Sequence, residues 1–172
     1  MSPAYGIFDW NFCPICGLET IQADDGQSIR PHCPPCDRFY YSNPTPAACC
    51  FLTNENKELL LVQRSIEPRK GLWTLPGGFV EVDETTEEAA LRELEEETGL
   101  TGRGTKLLGV TTRSSKLGGI IVLGYHVEHW QGEMVAMTDA MDLGFFSKED
   151  RPPIAFEVHQ ELIAIYDEQM GH

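Results

Sequence analysis

The chain has 172 residues, 41% of them hydrophobic, and sets 13 Lys and Arg against 27 Asp and Glu for a net charge of −14. That balance argues against a general nucleic-acid binder or a membrane-surface protein, because a strongly acidic chain is repelled by phosphate backbones and anionic lipid alike. No stretch reaches the roughly 18 apolar residues of a membrane span, and the opening MSPAYGIFDWNF has neither a basic start nor a long apolar run, so the expected compartment is the cytoplasm.

In chain order, the first signal is a cysteine framework. Cys13-Pro14-Ile15-Cys16 and Cys33-Pro34-Pro35-Cys36 are spaced C-x2-C-x16-C-x2-C, the pattern of a four-cysteine zinc ribbon. Four thiolates complete a tetrahedron with no open position, so a zinc ion there would be structural, supplying folding energy to a short module with little apolar surface. A redox dithiol or a rubredoxin-like iron site is the competing reading. His32 stands beside Cys33, but a complete four-cysteine set leaves it unneeded as a ligand. Asn43-Pro44-Thr45-Pro46 is a turn-rich break, dividing the chain into residues 1–45, the ribbon, and residues 46–172, a second domain.

Beyond the break, Ala47 to Leu52 reads as a buried strand, and Glu58 to Gln63 as a second strand after an Asn54-Glu55-Asn56 turn. Cys49 and Cys50 are expected to be buried in the first. The loop RSIEPRKGLWTL then leads into Pro76-Gly77-Gly78, where glycine lets the backbone approach a ligand. Arg64, Arg69 and Lys70 in this loop are candidates for phosphate contacts. Thr85 and Glu88 have capping-box spacing and Gly99 a left-handed stop, so a helix is expected from about residue 85 to Gly99. On it Glu93, Glu96 and Glu97 share one face, an arrangement that like-charge repulsion disfavours and that a hard cation, Mg2+ or Mn2+, would compensate.

Residues 105–113 and 119–130 read as strands around a Ser114–Gly118 hairpin loop, and Ile154 to Met170 as a closing helix with Val158, Leu162, Ile165 and Tyr166 on one side.

From Gly78 the order is glycine, five residues, Glu84, seven residues, Arg92-Glu93-Leu94, one residue, Glu96-Glu97, one residue, Gly99-Leu100. This resembles a complete Nudix box, the signature of hydrolases that cut nucleoside diphosphates linked to another moiety. The resemblance implies an α/β fold, a Nudix α/β/α sandwich with a mixed sheet, here preceded by the ribbon. It also implies that Glu93, Glu96 and Glu97 carry the catalytic metal, that the Gly77 carbonyl adds a ligand, that Arg92 orients the glutamates and that Glu84 supports the site. Glu93 is the first choice to position or deprotonate the attacking water, with Glu133, Asp139 and Asp142 as alternatives from a later loop.

Tyr40-Tyr41-Ser42-Asn43-Pro44, the Gly71 to Gly78 run and the closing Phe145-Phe146 segment are similar to a zinc-ribbon-containing branch of that family acting on ADP-ribose, FAD or related dinucleotides. NADH pyrophosphatases share the ribbon but carry an S-Q-P-W-P-F-P-type motif that does not follow Leu100 here. The expected activity is metal-dependent hydrolysis of the pyrophosphate bond of ADP-ribose or FAD, with a small nucleotide rather than a nucleic acid as partner and a homodimer as the assembly the resemblance implies. Arg64, Gly77 and Gly78 are expected at the substrate, with Phe146 stacking on its ring. The alternative is a catalytically silent Nudix-fold sensor or regulator that binds the same ligand.

Overall fold

The computed structural model describes residues 10–115 and 118–170. Lys116 and Leu117, in the expected hairpin loop, lie outside them, as do residues 1–9 of the opening segment.

The amino-terminal part is a small antiparallel sheet of strands β1 (Ile21–Asp24), β2 (Ile29–Cys33) and β3 (Arg38–Phe39), in that order. Its hairpin is closed by Asp25, whose Oδ1 accepts the backbone N–H groups of Gln27 and Ser28 at 2.9 and 2.8 Å. Such side-chain turns are why Asp recurs at these positions.

The rest is built on β4 (Thr45–Phe51), which lies parallel to β9 (Gly118–Gln131) and antiparallel to β7 (Gly77–Phe79). With β8 (Thr101–Ser115) these make a four-stranded mixed sheet ordered β7-β4-β9-β8. A second sheet, β10-β5-β6, joins β5 (Leu59–Arg64) to β6 (Trp73–Thr74) and β10 (Ala140–Phe146). Helix α1 (Thr86–Thr98) packs on one side and α2 (Glu157–Met170) on the other.

The continuous apolar run of β4 follows from that layering, because a strand covered on both faces needs apolar residues at every position. Ala47, Cys49 and Phe51 enter the core beneath α2, whereas Ala48, Cys50 and Leu52 enter the core beneath α1. Leu59 and Leu61 against Leu60 repeat the alternation on β5. Each of these fully buried leucines contributes about 2 kcal/mol of transfer free energy. Cys49 and Cys50 are buried, as expected, and Cys50 Sγ donates to the Ala90 carbonyl at 3.1 Å.

The fold differs from the sequence reading in three places. The strands expected at 105–113 and 119–130 run longer, because the two pair with each other over nearly their whole length. The closing helix begins at Glu157 rather than Ile154, since Trp73 bridges Ile154 and the Trp73 carbonyl accepts the Ala155 N–H at 2.7 Å, holding this stretch extended beside β6. Strand β10 was not expected; its pairing partner is β5, far away in sequence. Among the described residues no helix is long and apolar enough to cross a membrane.

Candidate active site

Helix α1 starts and stops as its sequence dictates. Thr85 Oγ1 accepts the Glu88 N–H at 3.2 Å while Glu88 Oε2 accepts the Thr85 N–H at 2.8 Å, and Gly99 ends the helix at φ 72°. The last turn carries three glutamates and no basic residue, so negative charge collects at the helix end where the dipole disfavours it.

Arg92 binds this charge together. Its Nε and Nη2 donate to the two carboxylate oxygens of Glu84 at 3.0 and 2.7 Å, and Nη2 also reaches the Phe79 carbonyl at 3.0 Å. Its Nη1 donates to Glu93 at 2.8 Å and Glu96 at 3.1 Å. Such a fork suits a planar guanidinium and no other side chain. The hydrogen bonds from Arg92 and from the Glu81 N–H hold the Glu84 carboxyl down to about 2.

Glu97 lies deeper. It is 5% exposed, and its Oε2 accepts the Gly77 N–H at 3.0 Å. Burial pushes its carboxyl up to about 8 against that hydrogen bond, with Glu93 and Asp139 adding repulsion and Arg64 opposing it. Burial also raises Glu93, which Arg92 partly offsets. The loop must be glycine here: a Cβ on Gly78 would stand 2.4 Å from Glu93 Oε1, and one on Gly77 2.4 Å from the Ala48 carbonyl oxygen. Among the described residues these carboxylates do not converge to within 4.8 Å as a set of three or more. They nonetheless form a hard oxygen donor set in which burial and mutual repulsion both call for a cation, and this fits Mg2+ or Mn2+.

The two glycines also line a cavity of about 650 Å3, along with Arg64, Arg69, Arg113 and His159. Arg64 lies over the Phe156 ring at 5.0 Å, and its Nε donates to the Pro68 carbonyl at 2.9 Å. Arg113 is engaged by Glu157 and Glu161, which leaves Arg64 and Arg69 as the lining cations with no carboxylate partner among the described residues.

The cysteine sulfurs of Cys13, Cys16, Cys33 and Cys36 all lie within 4.8 Å of one another. Cys13 is 3.8 Å from Cys36 and Cys16 is 3.6 Å from Cys33. A tetrahedral ion with metal–sulfur bonds of about 2.3 Å requires edges of about 3.8 Å, so the cluster has the size of a zinc site. Burial raises the Cys13 thiol, but hydrogen bonds from the Tyr40 hydroxyl, 2.9 Å away, and from the Cys16 and Ile15 backbone bring it down to about 6. Burial raises Cys33, and hydrogen bonds with its neighbouring thiols push Cys36 up to about 12, so the four thiols without a cation favour one thiolate, at Cys13, that the others share.

A family model described as NUDIX domain matches residues 43–154, and the ADP-ribose pyrophosphatase of Methanocaldococcus jannaschii is 38% identical over 128 residues, 73% of this chain and 75% of that protein. The chain belongs to the Nudix family. The NAD-capped RNA hydrolase NudC of Pseudomonas aeruginosa is 28% identical over 158 residues, 90% of this chain and 55% of that protein, so the chain spans about half the length of such relatives. Among solved structures, a NUDIX hydrolase from Nitrosomonas europaea superposes with a TM-score of 0.72 at 25% identity, covering 94% of each chain. The NUDIX domain of Shewanella oneidensis NrtR complexed with ADP ribose does so at 0.66 and 26%, over 81% of this chain and 94% of that one.

Within this Nudix hydrolase the expected residues are not equally placed. Glu84, Arg92, Glu93 and Glu96 form one network; Glu93 stands beside Gly78, and Glu97 separately accepts the Gly77 N–H, so both carboxylates meet glycines of the cavity lining. Arg64 and Gly78 line the cavity. Phe146 does not. It packs edge to face on Trp73 at 4.9 Å and against the α2 core, because the β10-β5 register turns it inward. Asp139 acts electrostatically on both Glu93 and Glu97, whereas Asp142 accepts the adjacent Leu143 N–H at 2.9 Å. Sequence reasoning missed Arg113 and His159. The available signal was a histidine on the buried stripe of the closing helix, one residue from Val158.

Proposed function

We propose that this Nudix hydrolase cleaves the pyrophosphate bond of a nucleoside diphosphate derivative, ADP-ribose first and FAD second, with Mg2+ or Mn2+ at Glu93, Glu96, Glu97 and the Gly77 carbonyl. The carrying observation is that Arg92-bound Glu93, beside Gly78, and Glu97, hydrogen-bonded to Gly77, both meet the glycines that line a cavity together with Arg64 and Arg69. The names of the Methanocaldococcus relative and of the ADP ribose complex support the substrate class. Divalent cations held there would neutralise the two bridged phosphates and lower the pKa of the attacking water.

The chain's own groups do the rest. Arg92 fixes Glu93, which positions the water and accepts its proton. The water oxygen bonds to one phosphorus as the bridging P–O bond breaks, and the bridging oxygen leaves with the other phosphate, giving two monophosphates. Arg64 binds the departing charge. We also propose that residues 1–45 form a ribbon closed by Zn2+ at Cys13, Cys16, Cys33 and Cys36, and that residues 46–172 form the hydrolase domain.

The test is turnover of a panel of ADP-ribose, FAD, NADH, diadenosine polyphosphates and NAD-capped RNA with Mg2+ or Mn2+. AMP released fastest from ADP-ribose is the expected result. Tight binding of ADP-ribose with no turnover of any member establishes the sensor reading instead.

A further inference from the structure

We infer that His159 is a substrate-binding residue whose Nε2–H donates to a phosphoryl oxygen of the bound diphosphate, beside Arg64. The inference rests on the proposed function and names a contact of that same cavity.

His159 stands in the first turn of α2, is 9% exposed and lines the cavity. Its Nδ1 is 2.6 Å from Thr74 Oγ1 and 3.3 Å from the Leu75 backbone nitrogen. A backbone N–H can only donate, so Nδ1 carries no proton and the Thr74 hydroxyl must donate to it as well. The ring proton is therefore on Nε2. Among the described residues Nε2 has no hydrogen-bond partner, and it is not a fully enclosed atom, since Arg151 Nε is the unpartnered one sealed from solvent. His159 is also a residue of the cavity lining. Two hydrogen bonds thus fix a mostly buried ring and leave one donor unsatisfied on a residue that borders the space a ligand would fill.

The surroundings select the acceptor. Arg64 and Arg69 line the same cavity, and the amino-terminal end of α2 adds its positive dipole. Arg113 and Glu157 line it too, but they pair with each other at 3.3 Å, and Arg113 Nη2 also donates to Glu161. Arg64 is near enough to act electrostatically on both Glu97 and His159. An acceptor shared by Arg64 and His159 would sit in the same cavity that Gly77, hydrogen-bonded to Glu97, also lines, which is where the proposed diphosphate sits. Burial, aided by Arg64, holds the His159 imidazole down to about 4, so at neutral pH it is an uncharged donor with a fixed tautomer.

His159→Asn places an amide oxygen near the Nδ1 position, keeping an acceptor for Leu75 and Thr74 while deleting the Nε2 donor. Calorimetric titration of the full chain with ADP and with adenosine, in Mg2+, should show about a tenfold loss of ADP affinity with adenosine unchanged. His159→Gln, which returns a donor near the ε position, should recover part of it. Equal losses for both ligands, or none, overturn the assignment. If His159→Asn fails to fold, ring-nitrogen NMR of 15N-histidine-labelled wild type decides: an Nε2–H tautomer that shifts with ADP and not with adenosine supports the assignment, and an Nδ1–H tautomer overturns it. Wild type that binds neither ADP nor ADP-ribose removes the functional reading along with this one. Wild type that binds ADP as tightly as His159→Asn does removes only this one.

Discussion

The two candidate sets of metal ligands in this chain are built on opposite plans. The four cysteine sulfurs already lie within 4.8 Å of one another, with the ribbon strands and turns wrapped around them. The glutamates of α1 do not converge as a set of three: Glu93 and Glu96 are drawn to one nitrogen of Arg92, and Glu97 to the Gly77 N–H. A closed set of soft ligands stabilises a small module and leaves no room for substrate. Hard ligands restrained by neighbouring groups, at the edge of a cavity, keep positions free for phosphate oxygens and water.

The largest effect should come from opening the closed set. Cys16→Ser removes one of four ligands, so the protein should lose its zinc and the β1-β2-β3 sheet its order, read by metal analysis and NMR. Parent protein without zinc refutes the ribbon assignment. Next is Glu97→Gln, in which the amide oxygen can still accept the Gly77 N–H, so the fold should persist. Because loss of a mere supporting residue costs about 10- to 100-fold at metal sites, turnover should fall by more than about a hundredfold; unchanged turnover would place the metal elsewhere.

Arg92→Ala should lower the thermal midpoint by about 5 °C, since Glu84, Glu93 and Glu96 lose a common partner. Arg92→Lys should recover less than half, because an ammonium cannot serve three carboxylates in a fork. Acid titration of the wild type probes the same network. Glu84 is depressed from 4.5 to about 2 by Arg92 and the Glu81 N–H, so its contribution to stability is complete above about pH 4.5 and is lost as pH falls through about 2. Arg92→Ala should flatten that part of the stability profile. The smallest effect is Thr85→Ala, which deletes half of the capping box and should cost about 1 kcal/mol by denaturant unfolding.

Much of this was legible in the sequence where the signal is local. Thr85, Glu88 and Gly99 mark the ends of α1 through hydrogen bonds spanning three or four residues, and the alternation of β4 is visible in its own side chains. What was hidden depends on partners distant along the chain. Strand β10 exists because β5 pairs with it, and that register turns Phe146 into the core. His159 becomes a candidate ligand contact only because Thr74 of β6 and the following Leu75 meet it from 85 and 84 residues away. The apolar stripe on α2 predicts burial of that face and says nothing of which ring nitrogen remains open.

The most direct measurement is Mn2+ binding to the full chain, followed by electron paramagnetic resonance with and without ADP, in the wild type and in Glu97→Gln. The account predicts Mn2+ binding to the wild type that ADP strengthens and that Glu97→Gln largely abolishes. Equal Mn2+ binding by the two proteins would contradict it, because the carboxylates restrained beside the cavity would then not be the ones that hold the metal.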